Sequence, residues 1–201
     1  MDLIFASNNK NKVREMQNII PPRYNILSLM DIGSTEEIKE TGRTLEANAK
    51  IKAQYVYERY GKCCFADDTG LVVTALNGEP GVLSARYAGT HRSPEDNMKL
   101  VLEKLGDNPN REARFITVVC LILRGKPYVF NGEVKGNITM EKRGYEGFGY
   151  DPIFMPSGYN LTFAQMPLEE KNRISHRRIA FGKMVSFLSK YNDGGDIPVS
   201  Y

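Results

Sequence analysis

The chain has 201 residues, 41% of them hydrophobic and 25% charged. That is enough chain to bury a core without disulfides or metal staples, and it excludes a disordered or fibrous class. The net charge is +3, from 27 basic and 24 acidic residues, too balanced to make nucleic acid or a membrane surface the leading partner.

The first apolar run, Leu3 to Ala6, suits a buried strand over Asp2 to Ser7. Asn8-Asn9 then suits a helix N-cap. Val13, Met16 and Ile20 recur at helical spacing, which predicts a helix from about Lys10 to Ile20. Pro21-Pro22 ends it, because proline cannot continue the hydrogen-bond ladder. Tyr24 to Leu29 is the second predicted strand. Thr44 caps a long helix with Ala49, Ala53, Val56 and Tyr60 on its buried stripe, and Gly61 fits the left-handed position that closes it. Cys63 to Ala66 is apolar, Asp67-Asp68-Thr69-Gly70 is polar, and Leu71 to Val73 is apolar again. Ser93, Pro94 and Asp96 open a third helix, which stops at Gly106. Ala113 to Leu123 is the strongest strand signal. Arg124 to Pro127 turns it back into Tyr128 to Phe130, a hairpin, and Val134 to Ile138 adds a further short strand. The last helix starts near Ser175, with Phe181, Met184, Val185 and Leu188 facing the core. Helices alternate with strands early and a hairpin comes late, so an α/β fold with a mixed sheet is expected.

No apolar run approaches the roughly 18 residues of a membrane span, and Leu3 to Ala6 is too short for a secretory signal. Three cysteines, two of them adjacent, make no disulfide framework. A cytoplasmic setting is expected, with one domain over residues 1–190 and a polar tail over 191–201. Cys63, Cys64 and Cys120 read as strand core, since no histidine stands at a zinc-like interval.

Five segments can carry chemistry. Ser7-Asn8-Asn9-Lys10-Asn11-Lys12 is a strand-to-helix junction, whose free N–H groups attract anions; taken alone it reads as a capped helix with solvated lysines. Asp67-Asp68 could serve a hard cation or a loop. Adjacent strand residues point to opposite faces, so if the strand persists only one of the two reaches a metal and the other supports the loop. Asn48 and Lys52 share a helix face beside the alanine stripe, which spacing alone assigns to solvent. Gly144 to Pro152 combines three glycines with aromatics that can stack on a planar base. Ser175-His176-Arg177-Arg178 opens a helix with a cap and cations, with Lys171 just upstream. The bland alternative is a basic surface turn. His91 receives no role.

Together these stretches resemble the inosine triphosphate pyrophosphatase family, the non-canonical purine nucleoside triphosphate pyrophosphatases. The resemblance runs from about Leu3 to Leu188. It is carried by Ser7-Asn8-Asn9-x-x-Lys12, by Glu40-x-Gly42 and Glu46-x-Asn48-Ala49-x-x-Lys52-Ala53, and by Ala66-Asp67-Asp68-Thr69-Gly70-Leu71. It continues in Gly81-x-x-Ser84-Ala85-Arg86-Tyr87, in Gly147-Phe148-Gly149-Tyr150-Asp151-Pro152, and in Glu170-Lys171-x-x-Ile174-Ser175-His176-Arg177. Asn8 stands where many members have glycine, and Thr69 where serine is commoner.

The resemblance implies an elongated mixed sheet with flanking helices, two lobes around a nucleotide-binding cleft, and a homodimer. It implies Mg²⁺-dependent hydrolysis of ITP, dITP and XTP to monophosphate and pyrophosphate, which clears deaminated purines from the nucleotide pool. Ser7, Asn8, Asn9, Lys10, Asn11 and Lys12 match the phosphate turn. Asp68 matches the proton acceptor and, with Glu40, the metal ligands. Lys52, to which a catalytic role falls, and Lys171 match lysines on the triphosphate. Thr69 belongs with the substrate contacts. Phe148, Gly149, Tyr150 and Asp151, with His176 and Arg177, match the base-recognition loop and helix start. Competing readings are a nucleotide sensor without turnover, an RNA-binding module, and a pyrophosphatase for modified pyrimidines or methylated nucleotides. The acid and lysine set argues against the sensor, the balanced charge against RNA, and Ser175-His176-Arg177 favours purines.

Overall fold

The computed structural model describes residues 1–17, 19–36 and 38–191. The elements are β1 (Asp2–Phe5), α1 (Lys10–Gln17), β2 (Asn25–Ser28), α2 (Leu45–Tyr60), β3 (Cys64–Val73), α3 (Pro94–Leu105), β4 (Glu112–Leu123), β5 (Lys126–Ile138), β6 (Phe154–Pro156), α4 (Leu168–Ile174) and α5 (His176–Lys190). Six strands form one sheet in the order β2-β1-β3-β4-β5-β6. β1 is parallel to β2 and β3, and the remaining pairs are antiparallel. The expected mixed α/β fold is present.

Local chemistry explains most helix ends. Asn9 Oδ1 accepts from the N–H groups of Asn11 and Lys12 at 3.0 and 3.2 Å, an N-cap that starts α1. Thr44, Ser93 and Ser175 cap α2, α3 and α5 the same way. Gly61 closes α2 at φ 63°. The β4–β5 hairpin turns on Arg124 and Gly125, both at positive φ, 48° and 79°, the pairing that suits the twist of a two-residue turn.

Several sequence expectations are corrected. α1 ends at Gln17, before Ile20. The open choice at Asp67 to Gly70 is decided for strand: β3 runs unbroken from Cys64 to Val73, paired with β4 along its whole length. Tyr128–Phe130 and Val134–Ile138 are one strand, β5. Cys63 precedes β3 and is only partly buried. Cys64 and Cys120 are buried, and burial pushes their thiols up to about 12 and about 11. β6 and α4, at three and seven residues, are too short to leave a periodic signal in the sequence. Of the expected tail, residues 192–201 lie outside the described residues.

The core has three parts. One cluster, with Phe5, Phe65 and Phe181, lies where α1 and α5 cover one face of the sheet. A second, with Ala49, Ala53 and Val56, lies where α2 covers the other. The third gathers Val101, Phe115, Phe154 and Phe163 at the far end of the long strands. β5 alone, at 13 residues, spans roughly 40 Å at about 3.3 Å per residue. The two ends of the sheet therefore carry separate cores, with a cleft between them.

β1 is short, and that opens the cleft. It pairs with β3 only through Ile4 and Phe5, so the edge of β3 beyond Phe65 is left to the Ser7–Lys12 turn. The chain departs at the carboxyl ends of parallel strands, next to the point where β2 and β3 lie on opposite sides of β1. Open α/β sheets bind ligands at that position.

Candidate functional site

The cleft has a volume of about 490 Å³. Ser7, Asn8, Asn9, Asn11 and Lys12 form one wall, and Glu40, Lys52, Asp68 and Thr69 form its floor. Phe148, Gly149, Tyr150, Asp151, His176 and Arg177 close the other end. Residues from six segments thus meet in one space, although the sequence scatters them from position 7 to position 177.

The period of two in β3 separates its carboxylates. Asp67 shares the face of Phe65 and meets α1 and α5. Its carboxylate takes Lys12 Nζ at 2.9 Å and lies 3.8 Å from Arg177 Nε. Asp68 shares the face of Ala66 and meets α2. Its Oδ2 accepts from Asn48 Nδ2 at 3.1 Å, and its Oδ1 lies 3.5 Å from Lys52 Nζ. Lys52 also donates to Glu40 Oε1 at 2.6 Å, and Arg86 lies 3.4 Å from Glu40 Oε2.

The electrostatics differ on the two faces. Burial raises the pKa of Asp67, but Lys12, Arg177 and Lys52 outweigh it and hold the carboxyl below its usual range. Burial also raises that of Asp68, and here Glu40 adds a like charge, so Asp68 stays above the usual range despite Lys52. Burial opposes ionisation of Glu40, yet Lys52, Lys12 and Arg86 keep it low. Burial lowers the pKa of Lys12, and the neighbouring Lys52 and Arg177 add to this against Asp67. Lys52 is held up by its three carboxylates against burial.

At the other end of the cleft, Asp151 Oδ2 accepts from Phe148 N at 2.8 Å and from Lys171 Nζ at 2.7 Å. Gly147 permits this: it sits at φ 77°, and a Cβ there would run into the Asp151 carboxylate. Tyr150 hydroxyl donates to Ser84 O at 2.8 Å, tying the loop to the neighbouring wall. Arg177 and Lys171 both lie over the Phe148 ring, at 4.9 and 5.1 Å from its centroid. His176 stacks on Phe115 at 4.5 Å. Burial, then the charges of Arg177, Lys171 and Lys12, push its pKa well down, so the ring is neutral. His176 Nδ1 and Arg177 Nε are buried without a hydrogen-bond partner, an arrangement that costs free energy.

The Ham1 family profile matches residues 3–187. This chain belongs to the Ham1 family. It is 56% identical over 187 residues to a dITP/XTP pyrophosphatase of Flavobacterium psychrophilum, covering 93% of this chain and 98% of that one. It is 54% identical to its counterpart in Flavobacterium johnsoniae, over 94% and 98% of the two chains. Among solved structures it resembles the Staphylococcus aureus Ham1 protein, with a TM-score of 0.86 and 40% identity over 94% of this chain and 98% of that one. A Ham1 protein from Coxiella burnetii superposes at 0.88 with 36% identity, over 95% and 100%.

Within this Ham1 fold, two of the expected site residues stand apart. Lys10 projects from the exposed start of α1 and does not line the cleft. Lys171 is no surface cation: its side chain is 2% exposed and clasped between Glu15 and Asp151. Sequence reasoning missed Glu15, which accepts from Lys171 Nζ at 2.8 Å and Arg177 Nη1 at 2.6 Å. Its only local signal was spacing, three residues after Lys12 and next to the core residue Met16. Arg86 was quoted within a motif but given no role. Among the described residues no helix is long and apolar enough to cross a membrane.

Proposed function

We propose that this chain hydrolyses the triphosphates of deaminated purines, ITP, dITP and XTP, to the nucleoside monophosphate and pyrophosphate. The observation that carries this is one cleft with two unlike ends. A lysine-lined turn with Asp68 and Glu40 occupies one end, and an aromatic loop with Arg177 occupies the other. The names of the relatives, dITP/XTP pyrophosphatases at 56% and 54% identity, support the same reading.

The phosphates lie against the Ser7–Lys12 turn, where the positive end of α1 favours an anion. Lys12 and Lys52 offset their charge. Asp68, on the cleft floor beside Lys52, takes the proton of the attacking water as a positioned carboxylate base. The water oxygen bonds to the α-phosphorus, the α–β bridging bond breaks, and pyrophosphate leaves with its charge met by the lysines.

Asp68 and Glu40 would hold Mg²⁺. Their all-oxygen donor pair fits a hard cation, which needs only one or two carboxylates when phosphates and water complete its shell; bound there, it would neutralise phosphate charge and lower the pKa of a coordinated water. A homodimer in the cytoplasm belongs to the same reading, and light scattering of the purified chain tests the dimer.

The base stacks on Phe148 and meets Arg177. Hypoxanthine and xanthine carry an accepting oxygen at C6, whereas adenine carries a donating amino group. A guanidinium there favours the oxygen, and a mispaired buried contact costs roughly 100-fold in discrimination.

The test is a panel of nucleoside triphosphates with Mg²⁺, assayed for pyrophosphate against orthophosphate. Pyrophosphate released faster from ITP, dITP and XTP than from ATP is expected. Orthophosphate release, or equal rates on ATP and ITP, rejects the reading. Tight binding without turnover makes the chain a sensor.

A further inference from the structure

Asp67 is not required by the chemistry just described, yet it is one of the most buried charges in the molecule, 1% exposed. Three groups share it. Lys12 Nζ, from the phosphate turn, lies 3.0 and 2.9 Å from its two oxygens. Thr69 Oγ1 donates to Oδ2 at 3.3 Å. Arg177 Nε, from the base end, lies 3.8 Å from Oδ2, within ion-pair range but too far for a hydrogen bond. Arg177 Nε has no hydrogen-bond partner, although Nη1 is held by Glu15 at 2.6 Å. One carboxylate therefore stands between the two subsites, bonded to the cation of one and just short of the cation of the other.

A buried carboxylate must keep a cation. When phosphate oxygens draw Lys12 toward them, Asp67 loses its closest partner. The next cation is Arg177, whose Nε is the donor left unfilled. We propose that Asp67 couples the two ends of the cleft: phosphate binding at Lys12 releases Asp67 to Arg177, and the second hydrogen bond fixes the guanidinium for the base. Coupling of this kind is reciprocal, so base binding tightens phosphate binding by the same factor. The inference deepens the proposed function and rests on Lys12 as the phosphate ligand and Arg177 as the base ligand.

Fragments test it on the full chain. Calorimetry would measure inosine alone, pyrophosphate alone, and each in the presence of the other. In the wild-type chain each fragment is expected to bind about fivefold tighter when the other is present, the lower end of ordinary site-to-site coupling. In Asp67→Asn both fragments still bind and the factor falls to one. In Lys12→Met, Asp67 has already turned to Arg177, so inosine without pyrophosphate binds more tightly than to the wild type. An Asp67 with only a structural role would shift the melting temperature and both affinities and leave the factor unchanged. A wild-type factor of one, an unchanged factor in Asp67→Asn, or inosine bound more weakly by Lys12→Met each overturns the coupling. So does failure of the wild-type chain to bind either fragment. Adenosine separates this inference from the functional reading: if adenosine binds as well as inosine with the same factor, the coupling stands and the purine selectivity fails.

Discussion

Asp67 and Asp68 are neighbours in β3 and serve opposite faces of the sheet, one paired with Lys12 at 2.9 Å and the other 3.5 Å from Lys52. Only one peptide unit separates them, yet their pKa values move in opposite directions, down for Asp67 and up for Asp68. Asp67 has Lys12 in hydrogen-bond contact and Arg177 at 3.8 Å, whereas Asp68 shares its lysine with Glu40. The strand pleat thus gives two adjacent carboxylates different partners and different electrostatic surroundings.

Asp68→Asn is expected to lower pyrophosphate release from ITP by at least about 100-fold, the usual scale for a lost general base, while ITP binding persists. It is not expected to cost stability. The folded carboxyl lies above its unfolded value, so its contribution is present at low pH and lost as pH rises through the folded value. At pH 7 the ionised group is a burden that asparagine removes, and the Tm should be at least as high as that of the wild type.

Glu15→Gln tests the buried cluster of Glu15, Lys171 and Arg177. Burial opposes ionisation of Glu15, but Arg177 and Lys171 outweigh it and hold its carboxyl below the usual 4.5. Removing one charge from such a buried cluster costs about 3 kcal/mol, read by urea unfolding at pH 7. The sign with pH follows. A lowered folded value gives stability that is present above 4.5 and lost as pH falls through the folded value. The difference between wild type and Glu15→Gln should therefore shrink steadily in acid.

Phe148→Ala removes the ring beneath Arg177 and Lys171. A stacked base contributes roughly 1–3 kcal/mol, so KM for ITP should rise about tenfold or more. Steady-state kinetics should show kcat much less affected, because the reacting phosphate lies at the other end of the cleft.

Gly147→Ala places a methyl group against the Asp151 carboxylate at a backbone angle of φ 77°. The Phe148 N–H to Asp151 bond, 2.8 Å, cannot then keep its geometry. The preference for ITP over ATP, measured as the ratio of kcat/KM values, should fall by about tenfold. An unchanged ratio would show that the loop selects by some contact other than this one.

The parts of this protein determined by sequence are those with local causes. Thr44 and Gly61 bound α2, Ser93 and Gly106 bound α3, and Ser175 starts α5, because a cap bonds the backbone two or three residues away. The Ala113–Leu123 strand and its hairpin were legible from apolar content and a turn. The cleft residues were legible as separate motifs, and resemblance to a family joined them.

The tertiary structure decided which charges are buried and whom they meet. Asp67 to Gly70 are polar, which leaves strand or loop open in the sequence, and their pairing with Val119 to Ile116 on β4 keeps them in the strand. Among the described residues, Glu15 has no partner for its charge within the neighbouring turns of α1. Its partners Lys171 and Arg177 stand 156 and 162 positions away, and only the packing of α4 and α5 beside α1 brings them within 3 Å. A charge can be buried when an opposite charge and a hydrogen bond are waiting for it. Local pattern carries no record of that partner, so the net charge of +3 and the spacing of the lysines could not show that the cleft is built on paired ions.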